Sequence, residues 1–206
     1  MTEMMTANSM KHKHYRAGFT AGALLVPESR KIADLLLGGA DKKQWRNAVE
    51  NQNILQKRSL ATAQRIGTLI RSRLILMKPA LWKLVSEGDS EVSTHAVLAA
   101  TVKHSPLLGD YLDTVVREQF QNFEEQLSLR LWDEYIQQCM QRDPSMPVFP
   151  ESTVRKVRSN IHKILFEAGY IRDRRSMVLQ HVEIVPEVIS YLEKNNEDYV
   201  LRCIQV

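Results

Sequence analysis

Four bases, Arg155, Lys156, Arg158 and Lys163, lie within STVRKVRSNIHKILFEAGYI (Ser152–Ile171), a stretch whose only acid is Glu167. Cations set among Ser159, Asn160 and His162 suit contacts to phosphate oxygens and base edges from a helix in a major groove. On such a helix Arg155, Arg158 or Ser159, and His162 recur at i, i+3 or i+4, and i+7, opposite Val157, Ile161 and Leu165. Arg172, Arg174 and Arg175 follow as a basic turn, where a winged helix-turn-helix carries its wing. A solvated helix with surplus bases, or one facing the protein's own acidic segment, is the plainer alternative.

A second basic concentration runs from Lys42 to Lys78, where the only acid is Glu50. Within it KRSLATAQRIGTLIRSR reads as another DNA-contacting helix, preceded by the helix and turn that the motif requires. Its candidate contacts are Lys57, Arg58, Arg65, Arg71 and Arg73. These bases spread around the helix, so intramolecular salt bridges compete for some of them. From Asp110 to Glu134 the sign reverses, with Asp110, Asp113, Glu118, Glu124, Glu125, Asp133 and Glu134 against Arg117 and Arg130. A net charge of +4 therefore conceals two basic regions and one acidic one.

Other chemistries find no support. There is no GxxxxGK[ST] loop, and the glycines of LLGGADKK have neither the spacing nor a preceding strand. His12 and His14 in KHKH read as part of a basic tail, not a metal site. His95 and His104 share no helix face well, and HExxH is missing. Glu124 and Glu125 are adjacent and diverge on a helix, which does not suit paired-carboxylate catalysis. Cys139 and Cys203 form no CxxC pattern and read as small buried hydrophobes of a reducing compartment. The expectation is a protein without catalytic residues, cofactor or metal.

The elements that must position the bases are almost all helical. The chain has 206 residues, 44% of them hydrophobic and 25% charged, within the ordinary globular range. The first ten residues read as disordered. Pro27 starts a helix that Gly38–Gly39 stops; Asp41 caps a second; Ser59 caps a long third; Pro79 kinks or restarts it; Gly88 ends the continuation. Asp89 or Ser90 opens a central Ala- and Val-rich helix, and Ser105–Pro106 starts another that passes through Phe123 and Leu127. A helix over Leu129–Met140 precedes RDPSMPVFP, the clearest linker. Ser152 caps the basic helix, YIRDRRSMVLQHVEI fits a short β-hairpin turning at Asp173–Arg174, and Pro186–Lys194 is helical. The final YVLRCIQV reads as a strand or a packed tail. The predicted fold is all-α with helix-turn-helix elements and a short β-hairpin wing. It divides into an N-terminal segment (1–26), a helical body (27–142) and a winged helix-turn-helix-like module (151–206). No stretch reaches the ~18 uncharged apolar residues that span a bilayer, and the expected location is the cytoplasm.

Several stretches, in order along nearly the whole chain, resemble the BrxA proteins of BREX bacteriophage-exclusion systems. They are YRAGFTAGALLVPESRKIADLLL, NILQKRSLATAQRIGTLIRSRL, LWKLVSEG, KHSPLLGDYLDTVVREQF, LWDEYIQQCMQRDP, VRKVRSNIHKILFEAGYI and YVLRCIQV. The resemblance implies a mostly α protein with helix-turn-helix elements that binds double-stranded DNA without catalysis. It also implies work beside other BREX proteins, including a site-specific DNA methyltransferase. The main expectation is a DNA-binding accessory protein of a phage-defence system. The alternatives are an assembly module whose basic faces dock acidic proteins, and an RNA-binding helical bundle.

Overall fold

Caps and breakers set most helix boundaries. In the computed structural model, which describes residues 22–144 and 146–206, α1 (Val26–Leu37) carries Pro27 in its first turn. It stops at Gly38–Gly39, where Gly39 takes φ 64°. The expected disorder of the first ten residues and the KHKH tail lie outside the described residues. Asp41 and Gln44 form a capping box at α2 (Lys42–Arg46), which continues as a π-helical turn, Asn47–Asn51. Ser59 accepts the Thr62 amide to open α3 (Leu60–Leu74). Pro79 begins α4 (Pro79–Glu87), and Asp89 caps α5 (Ser90–His104) by accepting the Glu91 and Val92 amides.

From Val92 to Val102 only Thr94 of α5 escapes burial, so this helix has no solvent face and becomes the central strut. α1, α3, α4, α10 (Pro186–Lys194) and α11 (Asp198–Ile204) pack around it. The end of the chain is helical rather than a strand: Val200, Cys203 and Ile204 recur at i, i+3 and i+4 and are all buried.

Pro106 starts a rod built of α6 (Pro106–Asp110), a π-helical turn (Tyr111–Val116) and α7 (Arg117–Gln121). This rod ends before Phe123 and Leu127, against expectation. Phe123 turns with φ 56°, and the chain leaves to pair with residues 177–179. α8 (Arg130–Arg142) then packs Trp132 edge-on to Tyr111, with ring centroids 5.1 Å apart. α9 (Glu151–Glu167) starts after Pro150, which places Ser152 inside the first turn and not at the cap. Among the described residues the β structure consists of isolated antiparallel bridges, Ile171↔Leu179 and Gln126↔Val178. The fold is all-α, and the expected hairpin wing is reduced to a bridged loop. One continuous core joins Leu24 and Ile32 near the beginning to Ile161, Leu165 and Ile204 near the end.

Arg73 corrects an expectation. Placed among the DNA-contacting bases by its sequence, it is 1% exposed. Its Nη1 donates to the Ala23 carbonyl at 2.7 Å, and its Nη2 to Gly22 at 3.3 Å. The Leu24 amide donates in turn to Glu167 Oε2 at 2.8 Å. Burial lowers the Arg73 guanidinium to about 10, with Glu167 opposing the shift, so it stays charged at neutral pH. α3, residues 22–24 and α9 are thereby tied together. Arg73→Ala leaves these carbonyls without their cation, and should cost roughly 3–5 kcal/mol. Urea denaturation at pH 7 measures it; a change under ~1 kcal/mol would reject this role.

Candidate nucleic-acid interface

The apolar stripe of α9, Val157, Ile161, Ile164 and Leu165, is buried and fixes which side faces outward. Arg155, Lys156, Ser159 and Lys163 are exposed along that side. Arg155 Nε lies 3.7 Å from Glu151 Oε1, and Lys163 Nζ 3.6 Å from Glu167 Oε1. Both are long, solvated pairs of adjacent helix turns and hold their bases weakly. Lys156 has no ion-pair partner among the described residues.

The expected stripe of Arg155, Arg158 and His162 does not stay together. Arg158 turns towards α8, where its Nη1 meets Asp133 Oδ2 at 2.6 Å. His162, one turn on, is buried, and its Nε2 has no hydrogen-bond partner. Burial, then the charges of Arg158 and Arg174, depress His162 to about 4, with Asp133 opposing. Both residues border the apolar stripe, and α9's own periodicity could reveal neither the pairing of Arg158 with α8 nor the burial of His162.

The turn after α9 completes the surface. Arg174 Nη2 donates to Ser159 Oγ at 3.2 Å, which draws the loop onto the outward side of the helix. Asp173 accepts the Arg175 and Ser176 amides at 2.8 and 2.7 Å. Hydrogen bonds from the Ser176 hydroxyl and amide, then from the Arg175 amide, hold its carboxyl down at about 2, so the turn keeps its anchor. Arg172, Arg174 and Arg175 are all exposed.

In the second region the candidates scatter. Lys57 pairs with Glu28. The Arg71 guanidinium lies 5.5 Å from the centre of the Trp45 ring. Arg73 is buried, as described above. Arg58 and Arg65 are exposed and have no ion-pair partner among the described residues. α3 does pack tightly on the preceding turn: a Cβ at Gly67 would meet Trp45 and Val49 at 3.4 Å. α2, its π-helical extension and α3 thus pack closely together, with fewer free bases than the composition of this region suggests.

Three of the seven acids in the acidic segment are engaged within the fold, while Glu118, Glu124, Glu125 and Glu134 are exposed. Asp113 takes Arg117 and Arg202, Asp133 takes Arg158, and Asp110 accepts the Tyr199 hydroxyl at 2.7 Å. Arg117 and Arg202, which the sequence did not mark as candidate site residues, serve here as intramolecular counter-ions. No group of His, Cys, Asp and Glu among the described residues could hold a metal ion. Nor is any helix among them long and apolar enough to cross a membrane.

A family model described as BrxA matches residues 13–196. The BREX protein BrxA of Paramagnetospirillum magneticum (strain ATCC 700264 / AMB-1) is 50% identical to this chain over 197 residues, 96% of this chain and 99% of that protein. The BREX protein BrxA of Escherichia coli O9:H4 (strain HS) is 32% identical, over 89% of this chain and 86% of its own. A crystal structure of an uncharacterized protein from Magnetospirillum magneticum superposes with a TM-score of 0.88 at 48% identity, covering 94% of this chain and 99% of that one.

The environment of His162 sets an acid response. Its folded value, about 4, lies below the ordinary 6.5, so protons favour the unfolded chain. The contribution of His162 is complete above pH 6.5 and is lost as pH falls from 6.5 towards 4, up to roughly 3 kcal/mol. His162→Leu should keep its neutral-pH stability within ~1.5 kcal/mol and lose most of the acid slope. His95 and His104, also lowered by burial, act in the same direction. Urea midpoints from pH 7 to 4.5 test this; an unchanged slope in the variant contradicts it.

Proposed function

The chain belongs to the BrxA family of BREX phage-defence systems, and on that premise we propose that it is a non-catalytic, cytoplasmic component that binds double-stranded DNA. The observation that carries this reading is the Arg174–Ser159 hydrogen bond, which joins the basic loop to the outward stripe of α9. Arg155, Lys156, Lys163, Arg172, Arg174 and Arg175 then form one cationic surface, with Ser159 among them as a hydroxyl donor. Phosphate oxygens would take most of these contacts, and displaced counter-ions would supply most of the affinity. Arg58, just before α3, with Arg65 and Arg71 on that helix, would add a second, weaker contact. Other BREX proteins are the natural protein partners of such a component. Its DNA role would be to place them on a duplex rather than to change the duplex chemically.

Lys156, Arg172 and Arg175 give the cleanest test, because none gives up an ion pair among the described residues on substitution. Replacing all three with Glu should leave the melting temperature within a few degrees, since exposed charges usually contribute under ~0.5 kcal/mol each. Duplex affinity at about 100 mM salt should fall more than tenfold, and the log–log salt slope should lose about two to three units. Fluorescence anisotropy with a labelled duplex, single strand and RNA of equal length measures all of these. Unchanged duplex affinity in the folded variant, or a clear preference for RNA, would overturn the reading.

A further inference from the structure

Beyond the basic surface, the chain carries a backbone edge with the opposite electrostatic character. After Met177 turns with φ 54°, residues 178–180 run between two neighbouring segments. Arg172 N donates to Val178 O and Gln180 N to Tyr170 O on one side. Leu127 N donates to Met177 O and Leu179 N to Glu125 O on the other, all at 2.9 Å. Past Gln180 both neighbours leave: Gly169 turns with φ 88° towards α9, and Phe123 turns with φ 56° towards α7. The middle segment continues alone. From His181 to Ile184 no backbone amide donates a hydrogen bond and no carbonyl accepts one among the described residues. The run ends where Val185 N donates to His95 Nδ1 at 3.2 Å.

Side chains along this edge alternate as in a strand. His181 and Glu183 are exposed, Val182 is half-buried, and Ile184 is buried. Two adjoining grooves share Glu91, His181, Val182 and Glu183. One, of about 500 Å³, is floored by Val182, Ile184, Ile189 and Val206. The other, of about 450 Å³, runs past Val182 and Phe166, which is 45% exposed. Glu91 and Glu183 line both, and Glu167 lines the second. Neither has a lysine or arginine among its described lining residues.

We propose that His181–Ile184 is a strand-addition site for an extended segment of another protein in which apolar residues alternate with lysine or arginine. An unpaired edge beside apolar surface is a template for a further strand, which would satisfy these backbone groups. Its inward residues fill the grooves, and its bases face Glu91 and Glu183. The acidic rim repels phosphate, so the occupant is a peptide and not nucleic acid. This site and the cationic stripe of α9 therefore take chemically different partners at once.

The test uses the full chain, labelled with ¹⁵N, and a short synthetic peptide alternating lysine with valine, acetyl-KVKVKVKV-amide. The amide signals of residues 181–184 should shift on titration, and their hydrogen exchange should slow by about tenfold or more. The glutamate counterpart, acetyl-EVEVEVEV-amide, should leave them unmoved. Glu91→Lys with Glu183→Lys should abolish the response to the lysine peptide without changing the melting temperature by more than a few degrees. An absent response, or an equal response to the acidic peptide, overturns the proposal. So does slow exchange of these amides in the free chain: where dilution leaves it slow the chain covers its own edge, and where dilution relieves it a second copy does.

Discussion

A buried guanidinium holds three distant parts of this chain in register. Arg73 is too deep to be solvated, so its charge must be met by carbonyls, and those belong to residues 22–24. The same short segment gives its Leu24 amide to Glu167 at the end of α9. An apolar side chain at Arg73 could fill the volume but could not specify where residues 22–24 lie. The cost of burying a charge is offset here by directional bonds that only one arrangement satisfies. The placement of α9 relative to α3 depends on that arrangement, and both helices carry the basic residues that give the protein its surface character.

Electrostatic balance explains the rest of the surface. Charges that are opposite in sign and close in space fasten parts of the chain to one another: Asp133 to Arg158, Asp113 to Arg202, Glu28 to Lys57. What remains outside is sorted. Bases persist on α9 and its following loop, where the acids of the same element are few and their pairs are long. Acids persist around the 181–184 edge, where no lysine or arginine lines the grooves among the described residues. A near-neutral sum thus resolves into two surfaces of opposite sign whose preferred partners differ.

Backbone irregularity marks where these surfaces meet. The π-helical turn at Tyr111–Val116 brings Tyr111 against Trp132 and Tyr135, with centroids 5.1 and 5.3 Å away. This cluster seats α8, and α8 in turn supplies Asp133 to α9. The left-handed turn at Phe123 then releases the chain to run beside residues 177–179. Without that departure the loop after α9 would have a partner on one side only.

How much could be read in the sequence follows from the range of the forces involved. Caps and breakers act within a turn, so Asp41, Ser59, Pro79, Asp89 and Pro186 fixed their helix starts, and the all-α fold followed from helical periodicity. Family membership was also legible, because the matching stretches run in order along nearly the whole chain. The apolar stripe of α9 likewise predicted that Arg155, Lys156 and Lys163 face outward. Long-range pairing was not legible. Arg73 and Arg65 look alike in a basic helix, yet one is buried under the Gly22–Leu24 carbonyls and the other is exposed. Arg158 and His162 fit a reading face by spacing alone, but Arg158 pairs with Asp133 of α8 and His162 is buried. The C-terminal YVLRCIQV could alternate or coil, and only packing against α5 made it a helix. Local chemistry determined the elements; tertiary structure decided which charges stay in water, because burial depends on neighbours that lie far away along the chain.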